Sequence, residues 1–209
     1  ISNASLLNDT DRLREKYFQG VKKRLGNPRW FTDKMPNNFQ LVPVIASSFP
    51  EAKIVHVYRN PYATCWSIFT TDFRSNGLGY SCELSDIAKY YALYVELMRE
   101  YSAFYNDHIF HLNYEDLVDQ PRSTIEDLSR FVGIDWEDQL MSPETNPRAV
   151  GTASNVQIRS PIYTGSSRSW LKYKDFIGDS FEKLPFFDTK SPNAVHDNLV
   201  IPESLALIS

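Results

Sequence analysis

Ala52-Lys53-Ile54-Val55-His56-Val57-Tyr58-Arg59-Asn60-Pro61 reads as an extended run that turns abruptly into a helix. Ile, Val and Tyr favour a strand, and Pro50 on one side and Arg59-Asn60-Pro61 on the other bound it. A buried strand is therefore expected over 52–58. Pro61 suits the first turn of a helix through Ala63, Cys65, Trp66, Ile68 and Phe69, with Asn60 as its N-cap. A strand that passes into a helix through so short a turn is a βα unit, the element from which parallel sheets are built.

The same pattern extends outward in both directions. Upstream, residues 11–25 carry Leu13, Tyr17, Phe18, Val21 and Leu25 at helical spacing and stop at Gly26-Asn27-Pro28. Pro36 disfavours helix at Met35, so residues 30–36 are expected to be extended, and 38–49 to be helical again. Downstream, 85–105 is expected to be a long amphipathic helix with Ile87, Tyr90, Tyr91, Tyr94, Leu97, Met98 and Tyr101 inward. Residues 109–114 form a second strand candidate. A helix over 123–132 comes next, with Ser123 and Glu126 at capping-box spacing and Gly133 at its end. Short helix and loop are expected over 137–151, an irregular polar loop over 152–161, and a helix over 165–176 with Trp170 inward. The chain shows no internal repeat. Alternating strands and helices predict an α/β fold with a largely parallel sheet, and ligands bind such sheets beyond the carboxyl ends of the strands. The residues just after Tyr58 and Tyr114 are therefore the first place to look for a site.

Composition agrees with a folded domain. The 209 residues include 22 Lys and Arg against 26 Asp and Glu, for a net charge of −4, and are 42% hydrophobic and 14% aromatic. This excludes a disordered chain and a strongly basic nucleic-acid binder. No apolar run reaches the roughly 18 residues of a membrane span. Cys65 and Cys82 have no partners at metal-ligand spacing, which points to neither a zinc site nor a disulfide framework and mildly favours a reducing, cytoplasmic setting.

Several positions carry candidate chemistry. Arg59 stands at the end of the first strand and Ser67 lies on the helix after it, an arrangement that suits a phosphate; an arginine pairing a carboxylate at a sheet edge would read the same way. Lys34, on its extended piece between Phe31 and Phe39, could bring an ammonium to negative charge developing on a transferred group, or could simply be solvated. Tyr114 could offer its ring to a base and its hydroxyl to a phosphate, or serve as a core tyrosine. Arg168 and Lys172 share a helix face, and the polar loop from Thr152 to Pro161 is rich in donors.

Taken in order, the segments 31–39, 54–61 leading to Ser67, 112–118, 131–134, and 152–157 leading to Trp170 resemble the sulfotransferases over about residues 12–175. The branch they resemble most is that of the bacterial TPR-linked sulfotransferases and the tyrosylprotein sulfotransferases. The resemblance implies a P-loop-like three-layer α/β fold with a central, mostly parallel sheet. It also implies transfer of a sulfuryl group from 3′-phosphoadenosine-5′-phosphosulfate (PAPS) to a hydroxyl, without a metal. Carried over position by position, it assigns Arg59 and Ser67 to the donor's 3′-phosphate, and Tyr114, Gln157 and Arg168 to further donor contacts. Lys34 and Ser154 are assigned to the sulfuryl group itself. Thr71 stands where the family usually has a basic residue, and Ser169 occupies the usual basic position before Trp170, with Arg168 displaced by one.

The family's first strand, its Pro-Arg-Ser-Gly-type loop for the 5′-phosphosulfate and the carboxylate base beyond it are not matched in these 209 residues. The expectation is therefore a partial catalytic domain over 1–180 and a tail of little predictable structure over 181–209, belonging to a longer enzyme and inactive alone. The alternative is a non-catalytic nucleotide-binding or interaction module derived from the same fold. The expected partner is a hydroxyl-bearing acceptor (a protein tyrosine, a sugar or a small molecule) and not nucleic acid, with a TPR domain upstream. The cytoplasm is the expected location and the Golgi lumen the alternative.

Overall fold

The computed structural model describes residues 9–73, 78–145 and 165–188. The polar loop over 152–161, with Ser154 and Gln157, lies outside them. The chain divides into two compact units, one within Ile1–Ile54 and Leu97–Ile109, the other within Val55–Glu96 and Phe110–Phe187.

In the first unit, α1 spans Thr10–Leu25 and ends at Gly26, whose φ of 73° is the left-handed conformation that glycine tolerates. It lies against the next segment through rings rather than through a buried stripe: Tyr17 and Phe18 stand 5.0 and 5.7 Å from the Phe49 ring. Arg14 clasps Glu51 through both terminal nitrogens, at 2.9 and 2.5 Å, and also donates to the Ser48 carbonyl. The helix expected over 38–49 is split into a 3-10 turn, Pro36–Leu41, and α2, Val42–Ser48. Pro43 is the reason: it has no N–H to continue a helical ladder from upstream, so it occupies the first turn of a new helix. Val42, Val44 and Ala46 of α2 are buried.

The second unit holds all but the first residue of each strand of a parallel pair, β1 (Ile54–Tyr58) and β2 (Ile109–Asn113). The connection from β1 to β2 runs through α3 (Pro61–Thr70), a 3-10 turn (Gly79–Cys82) and α4 (Leu84–Phe104). The described structure is thus mixed α/β and mostly helical, with a small parallel sheet. β1 is not buried on both faces as its composition suggested. Alternate side chains point to opposite faces; His56 is buried, while Val55 and Val57 are 38% and 57% exposed.

Local signals account for the helix starts. Asn60 caps α3 by accepting the Ala63 N–H at 3.1 Å. Asn113 does the same for α5 (Tyr114–Asp119), accepting from Asp116 N at 3.1 Å, so Tyr114 opens a helix instead of ending the strand. α6 runs over Pro121–Val132, two residues longer than expected, because Pro121 suits its first turn. The Ser123–Glu126 capping box is consequently not formed: Ser123 Oγ donates to the Gln120 carbonyl, and Glu126 pairs with Arg122. Gly133, at φ 73°, closes α6 as expected.

The stretch expected as one helix over 165–176 is a 3-10 helix, Ser166–Tyr173, continued by α7, Lys174–Ile177. It docks on α3 through two stacked ring pairs, Trp170 on Tyr62 and Tyr173 on Trp66, each with centroids 4.6 Å apart. Phe181, Leu184 and Phe187 are buried. The first part of the expected tail therefore belongs to the core, and residues 189–209 lie outside the described structure. No helix among the described residues is long and apolar enough to cross a membrane.

Candidate functional site

Because β1 and β2 are neighbours, the residues after them meet. Arg59 comes directly after β1, and Tyr114 and Glu115 directly after β2. The guanidinium carbon of Arg59 lies 5.1 Å from the centre of the Tyr114 ring, a cation–π contact that fixes the plane of the charge. Arg59 Nε donates to Ser167 Oγ at 3.0 Å, and the Ser167 hydroxyl donates to Glu115 Oε1. The backbone N–H of Asn60 donates to both oxygens of Glu115, at 3.2 and 3.3 Å. The Tyr114 hydroxyl is 3.1 Å from Ser166 Oγ.

Beside this network lies a cavity of about 250 Å³. Its lining comes from α5, with Tyr114, Glu115, Val118 and Asp119, and from the segment Gly165 to Arg168. Gly165 has φ 98°, a left-handed turn that sets up the adjoining 3-10 helix with its two serines and Arg168. The wall therefore combines two carboxylates, one arginine, three hydroxyls and one apolar side chain. Arg59 turns Nε inward to Ser167, and among the described residues its two terminal nitrogens are not committed to a protein acceptor. A planar pair of charged donors in this state suits an oxyanion with two coplanar oxygens, such as a phosphate monoester. Among the described residues there is no group of three or more His, Cys, Asp or Glu placed to hold a metal ion.

The fold gathers some of the candidates marked by the sequence. Arg59 and Tyr114 are brought together, and Arg168 joins Tyr114 in the cavity wall. Ser67 is exposed on α3; its carbonyl accepts the Thr71 hydroxyl at 2.6 Å, so Thr71 helps to end the helix where the family usually has a basic residue. Lys34 is exposed in the first unit, next to Asp33, which accepts the Tyr17 hydroxyl at 2.9 Å. Burial, reinforced by Asp33, pushes Tyr17 up to about 12. Ser154 and Gln157 are outside the described residues. Glu115, Ser166 and Ser167 carry no distinguishing mark in the sequence. Their only local signal is a carboxylate directly after Tyr114 and a Gly-Ser-Ser turn before Trp170, and neither shows that the two segments meet.

Cys65 is a free, buried thiol, which burial pushes up to about 12, and Cys82 is a free, exposed one.

Comparison with known proteins fits this geometry. The chain is 29% identical over 184 residues to an uncharacterized protein of Aquifex aeolicus (strain VF5), covering 86% of this chain and 24% of that one. The chain thus spans about a quarter of that relative's length. Among solved structures it is similar to the sulfotransferase domain from the curacin biosynthetic pathway, with a TM-score of 0.51 and 15% identity. That match covers 86% of this chain and 65% of the other, and shows a shared fold. The model of the Sulfotransferase family matches residues 3–138, a span that includes both strands, Arg59 and Tyr114, and the chain belongs to that family.

Proposed function

We propose that this chain is the donor-binding part of an enzyme that moves a sulfuryl group from PAPS to a hydroxyl acceptor. The observation that carries this reading is the meeting of Arg59 and Tyr114 at the adjoining ends of β1 and β2, in a member of the sulfotransferase family. In this reading the two terminal nitrogens of Arg59 take the 3′-phosphate, a dianion that water competes for poorly against a paired donor. Ser67 joins Arg59 at the 3′-phosphate, Gln157 supplies a further donor contact, and Tyr114 and Arg168 supply theirs from the cavity wall. Lys34 and Ser154 act at the sulfuryl group, where a cationic and a hydroxyl donor stabilise charge that builds on its oxygens during transfer between two oxygens in line. No metal is needed for this scheme.

The reading includes the finer features that the resemblance implies. These are a P-loop-like three-layer sheet whose first strand and 5′-phosphosulfate loop come from elsewhere in a longer protein, and a catalytic domain over 1–180 whose tail over 181–209 begins by packing Phe181, Leu184 and Phe187 into the core. They also include kinship with the TPR-linked or tyrosylprotein branches, with a TPR domain upstream, and a cytoplasmic setting. Turnover is proposed for the longer protein and not for these 209 residues alone. The acceptor is a hydroxyl on a protein tyrosine, a sugar or a small molecule.

The test is calorimetric titration of the full-length protein with adenosine 3′,5′-bisphosphate, alongside a mass-spectrometric screen for products heavier by one sulfate. Arg59→Ala is expected to weaken the bisphosphate by roughly tenfold or more, the value of a charge-assisted bidentate contact. Unchanged affinity overturns the assignment of Arg59. Tight binding with no sulfated product from any acceptor class identifies the non-catalytic module instead.

A further inference from the structure

Glu115 ties three segments together at the carboxyl ends of the strands. It lies in the first turn of α5, accepts the backbone N–H of the residue after Arg59, and accepts the hydroxyl of Ser167 from the 3-10 helix. The direction of this chain is forced. The Nε–H of Arg59 can only donate and a carboxylate can only accept, so Ser167 must accept from Arg59 and donate to Glu115. The hydroxyl rotor is thereby locked, and with the Tyr114 ring beneath the guanidinium the orientation of Arg59 is fixed on two sides. Ser167 also stands between the two charges: among the described residues no direct Arg59–Glu115 ion pair is formed. A direct bidentate pair would occupy the nitrogens that an incoming anion needs. The hydroxyl leaves them available.

From this geometry we infer that Glu115 is a positioning residue for phosphate-monoester recognition, aiming the Arg59 guanidinium through Ser167. The inference rests on the donor-site reading above. It runs against the simplest electrostatic expectation, since a carboxylate close to an anion site should repel the ligand, and its neutralisation should then tighten binding. Positioning predicts the opposite sign, because Glu115→Gln weakens the acceptor for both Ser167 and Asn60 and releases the arginine from its fixed orientation.

The experiment titrates the full-length protein with adenosine 3′,5′-bisphosphate and, separately, with adenosine 5′-monophosphate, which lacks the 3′-phosphate. Glu115→Gln and Ser167→Ala are each expected to lose roughly tenfold in affinity for the bisphosphate and little for the monophosphate. The double variant should be no worse than the poorer single one, because both act through one bonded chain. Ser167→Thr, which keeps the hydroxyl, should restore binding, and it tests the idea even if Glu115→Gln fails to fold. A Glu115→Gln protein that melts like wild type and binds the bisphosphate as well or better overturns the inference while leaving the Arg59 site standing. A wild-type protein that does not discriminate between the two nucleotides overturns the donor-site reading, and this inference with it.

Discussion

The Nδ1 atoms of His56 and His111 lie 2.8 Å apart across the β1–β2 pair, so one imidazole donates to the other and both cannot carry a proton there. The other nitrogen of His56 meets the Tyr94 hydroxyl of α4, and Phe187 covers the two rings at centroid distances of 4.8 and 5.1 Å. Burial pulls His56 down to about 3, with the neighbouring His111 adding to the effect, and burial also lowers His111.

This pair makes stability sensitive to acid. In the folded state His56 stays neutral from about 6.5 down to about 3, whereas in the unfolded chain it takes up a proton near its ordinary value. The unfolded state binds more protons throughout that window, so the stabilisation is complete above about pH 6.5 and is lost progressively as the pH falls toward 3. Thermal melts followed by circular dichroism should show the midpoint dropping over this range. His56→Gln, which keeps a donor and an acceptor without a titrating ring, should flatten the dependence, and an unchanged slope would remove His56 as its source.

Phe181 is 1% exposed in the core of the second unit. Phe181→Ala should cost about 3–5 kcal/mol, the range for emptying a buried aromatic site. Chemical denaturation read by tryptophan fluorescence measures it. A loss below about 1 kcal/mol would mean that the neighbouring residues collapse into the space.

The 3-10 helix that carries Ser166, Ser167 and Arg168 is held to α3 by the Tyr62–Trp170 stack, whose planes are within 17° of each other. Trp170→Ala should speed limited proteolysis within that segment and weaken adenosine 3′,5′-bisphosphate several-fold, since the hydroxyl that meets Arg59 would lose its anchor. Wild-type protease resistance would show that the Trp66–Tyr173 stack suffices.

Lys34→Ala in the full-length protein should lower turnover by roughly a hundredfold while leaving bisphosphate affinity within about twofold, the pattern of a group that acts on charge developing in the reaction. Equal losses in binding and turnover would instead make Lys34 a ground-state contact.

Local signals in the chain were enough to locate most of the helices, both strands and the turns between them. Asn60-Pro61 and Gly133 act through their own backbone preferences, and strand, turn and cap chemistry needs only neighbours in sequence. Local preference misleads where two such signals compete: at Pro43, which restarts a helix, and at Asn113, whose cap takes Tyr114 out of the strand. Through its resemblance to the sulfotransferases the sequence also marked Arg59, Ser67, Tyr114, Gln157 and Arg168 for the donor and Lys34 and Ser154 for the sulfuryl group, and among these the structure sets Arg59 against Tyr114 and Arg168 beside Tyr114. Only the tertiary structure decided what surrounds them. The carboxylate and hydroxyls that orient Arg59 lie 55 or more residues away from it along the chain, and the two histidines are likewise separated by 55. Pairing β1 with β2 brings Tyr114 and Glu115 to Arg59 and sets the two histidines together, and docking of the 3-10 helix on α3 brings Ser167; both are long-range contacts that no local propensity encodes.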